Sequence, residues 1–305
     1  MAERTNIRKS GLRPGLACEL RPEGVIAARS SSHRHGGEAV MAFAPLAVGA
    51  LLPGLKVPNL GDARAVAAAV ESVLGEVNAK TKDLTLVVPD AATRVLLLDF
   101  DALPAKRAEA LAVVRFRLRK MVPFDVEPAA VSYQVMAEQA GELSVLVTVM
   151  PGDVLAEYEQ VIRDAGYSPG AVLPSTLAVA AALDSSEAAL MVNHAGTSIT
   201  TAVTQGNEML LHRLMELPVD ERARDQEMAQ AVITTLAWYE DTLRSTPGTL
   251  YYAGPGGATA ARTAPWAAMV EPVPRIEDFA VSEQASTMTS IPAGLTAGVM
   301  GALAG

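Results

Sequence analysis

Apolar and polar positions change period repeatedly along this chain. Leu190–Val192 is a short apolar run, Ser198–Thr204 alternates, and Met209–His212 follows a Gln205-Gly206-Asn207 turn. Three successive strands are expected there. Leu16–Ala28 reads as a hairpin around Arg21-Pro22-Glu23-Gly24. Leu84–Val88 and Arg94–Asp99 read as strands around Pro89-Asp90, and Ala130–Met136 and Leu143–Val149 as a pair around a glycine turn. Helical spacing governs other stretches. In Asp62–Ala79 the residues Val66, Val70, Val73 and Val77 share one face, with Asp62 as N-cap. Leu103–Met121 is expected as a helix with Pro104 in its first turn and Pro123 beyond its end. Gly152–Gly166, Ser175–Leu183 and Val219–Arg244 also read as helices, and Pro292–Ala304 as a short closing helix despite its glycines. Leu250–Ala253 and Met269–Pro272 are further strand candidates. Strands followed by helices, twice over, predict an α/β architecture, with Leu84–Met150 as a β-β-α-β-β block.

Composition narrows the function classes. The 305 residues suffice for two lobes, and half of them are hydrophobic. A net charge of −9 argues against general nucleic-acid binding, which needs a basic surface. One cysteine, Cys18, excludes an intrachain disulfide and a Cys-rich zinc site. The polar N-terminus lacks the apolar core of a secretory signal. Met41–Leu60 is apolar, but Pro45, Pro53 and Pro58 interrupt it, and Ile291–Gly305 is too short to span a bilayer. A soluble protein is therefore expected.

Candidate chemistry collects at turns. Leu20–Gly24, His194–Thr197 and Gly254–Gly257 each follow an expected strand, and backbone N–H groups in such turns can cradle an anion. His33 and His35 form a His-x-His pair with no third ligand, so a solvated loop is the expected role. Arg115, Arg117, Arg119 and Lys120 crowd one helix; a solvated face or a contact with an acidic partner or anionic lipid would account for them. Walker A, Gly-x-Ser-x-Gly and His-Glu-x-x-His patterns are absent.

The order of these turns resembles the actin-like ATPase superfamily, and within it the PilM-like proteins of type IV pilus assembly. The resemblance runs from about Leu16 to Ala304. LACELRPEGVIAA is similar to the first phosphate hairpin, MVNHAGTSITTAVTQGNEMLLHR to the second, and LYYAGPGGAT to the adenosine turn. LTLVVPDAATRVLLLDFDALP and RKMVPFDVEPAAVSYQV resemble an inserted lobe. It implies a ribonuclease H-like, two-lobed actin-like fold. Residues 14–80 and 167–185, closed by 290–305, would form the first lobe after a flexible basic tail, 1–13. Residues 81–150 would be the inserted lobe, 151–166 a connecting helix and 186–289 the second lobe.

By the same resemblance Glu19, Arg21, Asn193, Gly196, Thr197, Gly254, Gly256 and Gly257 stand at the nucleotide positions, with ATP and magnesium as the implied cofactors. Glu19 and Asn193 replace aspartates, Arg21 and Ala195 replace glycines, and Pro255 interrupts the adenosine glycines. Asparagine loses the charge that recruits magnesium, and Arg21 would crowd the phosphate. The expectation is a degenerate ATPase serving as a cytoplasmic scaffold at the inner face of the inner membrane. It would bind the cytoplasmic N-terminal tail of a PilN-like membrane-anchored protein, in a groove between Leu84–Met150 and Met41–Leu60. The alternatives are an active magnesium-dependent actin-like ATPase and the cytoplasmic part of a GspL-like type II secretion protein.

Overall fold

Three sheets carry the chain. The computed structural model describes residues 13–30, 39–139, 141–183, 186–279, 286–287 and 290–304. His33, His35 and all of the expected tail except Arg13 lie outside the described residues. The elements begin with β1 (Leu16–Arg21), β2 (Gly24–Ser30), β3 (Ala39–Pro45), α1 (Ala63–Val77), β4 (Asp83–Val88), β5 (Arg94–Phe100) and α2 (Arg107–Leu118). They continue with β6 (Ala130–Gln139), β7 (Glu142–Met150), α3 (Gly152–Asp164), β8 (Ser168–Pro174), α4 (Ser175–Ala180), β9 (Ala188–Ala195), β10 (Ser198–Gln205) and β11 (Glu208–Glu216). The last are α5 (Glu221–Leu243), β12 (Thr249–Ala253), α6 (Gly257–Thr263), β13 (Arg275–Asp278), β14 (Ser286–Thr287) and α7 (Ala297–Ala304).

The first sheet has the order β14-β3-β2-β1-β4-β8. On one side Val66, Val70 and Val73 of α1 and Val154, Tyr158 and Ile162 of α3 bury its residues Leu16, Cys18 and Leu86. On the other, Ala178 of α4 and Val299 and Ala302 of α7 cover Ala17, Ile26 and Val87. The second sheet, β11-β10-β9-β12-β13, carries α5 and α6 on one face through Val232, Ala258 and Ala261. Its opposite face meets α4, α7 and the third sheet through Met191, Ala202, Val179, Ala297 and Leu146. The third sheet, β5-β7-β6, is capped by Val114 and Leu118 of α2. The sheets are those of the expected actin-like, two-lobed α/β fold.

Several elements differ from the sequence reading. β4 pairs with β1 and β8 in the first sheet, so β5, β6 and β7 alone make the inserted sheet of the expected β-β-α-β-β block. Pro104 lies outside α2, which starts at Arg107 after the extended Lys106. The helix stops at Leu118, and a turn from Leu118 O to Met121 N closes it. β3 and β8 are strands that the periodicity does not predict, being rich in Ala, Pro and Gly, and β8 completes the sheet beside β4. The strand expected at Met269–Pro272 is a helical turn over Ala267–Met269, and the polar segment Arg275–Asp278 pairs with β12 instead. Pro272 supplies no ladder donor where the strand was expected.

α7 shows why a glycine-rich segment is helical here. A Cβ on Gly301 would strike the Ala178 carbonyl of α4, and one on Gly298 would strike the Glu19 carboxylate. The glycines let the helix lie close against β1 and α4. Tertiary contact outweighs the roughly 1 kcal/mol per glycine lost in helix propensity.

Candidate functional site

The three candidate turns meet between the lobes. The β1–β2 hairpin drives its tip, Arg21-Pro22-Glu23, against the β9–β10 turn. Gly196 adopts φ 57, and a Cβ there would stand 2.8 Å from the Pro22 ring, so this turn needs glycine. A Cβ on Gly254, at the end of β12, would approach the His194 Cβ at 3.0 Å. Glu19, Arg21, Asn193, Gly196 and Gly254 therefore share one region.

That region is filled by the chain's own charges. Glu23 Oε1 accepts the Gly196 N–H at 2.7 Å, the donor that a phosphate in this turn would use. Arg21, only 2% exposed, donates through Nη1 to Glu19 Oε1 at 3.1 Å, through Nε to Glu23 Oε2 at 3.3 Å and through Nη2 to the His194 carbonyl at 2.7 Å. Burial opposes its charge, but Glu19 and Glu23 outweigh burial and hold its pKa above the ordinary value. Burial pushes the Glu19 carboxyl up, against the pull of Arg21. Ser175 Oγ donates to the same Glu19 oxygen at 2.8 Å, while Oε2 is buried without a hydrogen bond.

Below this junction Asp90 forms a hub. It follows β4, is 5% exposed and accepts from Thr176 N at 2.9 Å, Asn193 Nδ2 at 3.1 Å, Thr200 Oγ1 at 2.9 Å and Thr176 Oγ1. Asn193 also donates to Ser175 Oγ and Thr176 Oγ1. Asn193 thus points its amide at a fixed carboxylate, and a cation-binding aspartate there would face Asp90 instead. In the sequence Asp90 is only a turn residue; its partners lie 86 to 110 positions away, and no local pattern reveals them.

The third turn is also engaged. Gly256 and Gly257 have φ 77 and 61, and Gly254 N bonds Gly294 O at 2.9 Å. Asp278 Oδ1 accepts the Ala258 N–H at 2.8 Å. Glu23 thus sits on the amide of Gly196, which the resemblance places at the nucleotide, and Asp278 on the amide of Ala258, the residue after Gly257. These residues do not fit a magnesium triphosphate in this arrangement: the Gly196 donor is taken, and one Glu19 oxygen is held by Arg21 and Ser175. Among the described residues no group of three or more His, Cys, Asp and Glu is placed to hold a metal.

Thr197 closes the β9–β10 turn, its carbonyl accepting the Leu217 N–H at 2.7 Å. Two cavities lie away from the junction. One of about 530 Å³ is bounded by Glu187, Tyr239, Ser245 and Tyr251. The other, about 380 Å³, lies between Thr93–Val95 and His212, Leu214 and Glu216. Burial lowers the pKa of His212, whose Nε2 has no hydrogen-bond partner. On α2, Arg115 donates to the carbonyls of Val126 and Ala129, and Arg119 pairs with Glu127; both tie the helix to the following loop.

No family model and no curated protein matches the sequence. Solved structures do match in three dimensions. The chain superposes on a structure titled PilM-PilN type IV pilus biogenesis complex with a TM-score of 0.75 at 16% identity, over 96% of this chain and 98% of that one. The cytoplasmic domain of EpsL, an inner-membrane component of the Vibrio cholerae type II secretion system, gives a TM-score of 0.50 at 15% identity, over 94% and 92%. The ethanolamine utilization protein EutJ of Carboxydothermus hydrogenoformans gives 0.51 at 10%, over 98% and 94%. At these identities the likeness shows the fold, which is the actin-like fold of the PilM structure. Among the described residues no helix is long and apolar enough to cross a membrane.

Proposed function

We propose that this chain is a cytoplasmic, PilM-like scaffold of type IV pilus assembly at the inner face of the inner membrane, with nucleotide binding lost. The observation that carries this reading is the Glu23 carboxylate on the Gly196 amide, beside a buried Arg21. The chain supplies its own anion and its own cation where ATP and magnesium would bind, and it joins its lobes without them. The near-complete superposition on a pilus biogenesis structure supports the pilus assignment; the EpsL likeness is weaker and ranks the secretion reading second.

The partner is a PilN-like membrane-anchored protein, bound through its cytoplasmic N-terminal tail. The segment 46–61 offers a fitting surface. Glu157 accepts the Asn59 and Leu60 N–H groups at 2.8 and 2.9 Å, and Asn59 Oδ1 accepts from Gly54 N, so the segment is held firmly against α3. It exposes Val48, Leu52 and Val57. A stiff apolar edge loses little entropy when an extended tail docks.

Two measurements test this. Fluorescence anisotropy with a labelled peptide of the cytoplasmic N-terminal tail of a PilN-like protein should show saturable binding that ATP and magnesium leave unchanged. Leu52→Asp should weaken it at least about tenfold, as a charge enters an apolar contact. Calorimetry with magnesium-ATP should show no binding heat. Tight ATP binding with turnover would instead establish the active ATPase.

A further inference from the structure

We infer that the outward face of α2 docks on an anionic lipid bilayer surface, as a contact separate from the tail site. Between Lys106 and Met121 the chain carries six basic residues against one acidic, inside a protein whose net charge is −9. Three of these residues have partners within the fold: Lys106 pairs with Glu109, and Arg115 and Arg119 bind the loop after the helix. Arg117 and Lys120 are exposed and make no hydrogen bond or ion pair with any described residue.

Beside them stand apolar side chains that the fold leaves in water. Phe116 is 69% exposed, Met121 45% and Val113 38%. Val113, Phe116 and Arg117 recur at helical spacing on α2, and Lys120 continues that spacing in the turn after it, so they form one exposed stripe flanking the buried Ala110, Val114 and Leu118. An aromatic and a thioether flanked by unpaired lysine and arginine suit the headgroup boundary of a bilayer. There the ring enters the acyl edge and the long basic stems reach the phosphates. The stripe lies on the convex side of one helix, away from the sheet that the helix caps. A peptide would need a groove or a sheet edge, and this stripe offers neither; a bilayer accepts a convex face. The positive stripe on an acidic protein also complements an anionic leaflet, which attracts basic residues within a Debye length.

Co-sedimentation of the full chain with vesicles, in the absence of any partner, tests the inference. Vesicles of equal parts phosphatidylcholine and phosphatidylglycerol should retain the protein at low salt, and phosphatidylcholine alone should not. Each basic residue near the surface is worth about fivefold in affinity, so Arg117→Glu with Lys120→Glu should lower binding by roughly 25-fold or more. Phe116→Ser should lower it by roughly tenfold. The side chains are exposed, so unchanged melting temperatures confirm that the variants fold. Leu52→Asp should bind vesicles normally, and the α2 variants should bind the tail peptide normally, so each reading can fail without the other. Three results would overturn the membrane contact: no retention by anionic vesicles, equal retention by phosphatidylcholine, or wild-type retention of the α2 variants. Loss of tail binding in the α2 variants would assign the stripe to a protein partner instead.

Discussion

Arg21 and Arg117 are the same residue type under opposite conditions. Arg21 is buried between two lobes with three partners, two on its own hairpin and one on β9, whereas Arg117 is exposed with none among the described residues. The first is fixed by its surroundings and its removal leaves Glu19 and Glu23 without a counter-charge. The second costs the fold nothing and is available to something outside it. Charge that is buried and fully paired reports on architecture; charge that is exposed beside apolar side chains reports on binding.

The largest expected effect breaks the buried side of this contrast. Arg21→Ala should cost about 3–5 kcal/mol, because Glu19 is left fully buried and unpaired, and the double variant Arg21→Met with Glu19→Met should recover much of that loss. Chemical denaturation measures both; an unchanged midpoint for Arg21→Ala would show that the junction does not hold the lobes. Asp90→Asn sets an amide against donors at Thr200 and Asn193 and should cost about 1–3 kcal/mol by the same assay. A third test uses pH. Burial lowers the pKa of His194 and of His212 below 6.5, so both stay neutral in the folded chain while the unfolded chain takes up protons. Their contribution is complete above pH 6.5 and is lost as pH falls below it, toward the folded values. The melting temperature should therefore decline on acidification, and His212→Gln should flatten the decline. The smallest effect sharpens the exposed side: Phe116→Ser and Arg117→Ala should each leave stability within about 0.5 kcal/mol.

Legibility in the sequence followed the range of the interactions. The β9–β10–β11 meander, the α1 valine stripe and its Asp62 cap are local patterns, and the structure has them; Asp62 accepts the Ala65 N–H at 3.0 Å. The Glu19 and Arg21 substitutions were visible as departures, because a charged side chain at a glycine position must go somewhere. Its destination, the His194 carbonyl, was not visible, since it lies 173 positions away. Asp90 was missed for the same reason. β8 was missed because Pro169 and Gly170 have poor strand propensity, and only the neighbouring β4 makes them a strand. The apolar stripe on α2 was half legible: its basic residues were counted, but which of them the fold consumes is decided by the carbonyls of Val126 and Ala129.

The contact of α7 with β1 and α4 bears on how this protein is made. A ribosome delivers β1 early and α7 late, yet Val299 and Ala302 help cover Ala17 and Ile26 on the first sheet. Until the late segment emerges, that side of the nascent sheet stays open to solvent and to chaperones. Completion of the first lobe therefore waits for α7 to leave the ribosome, and a chain cut short before residue 297 would carry a partly uncovered apolar sheet face.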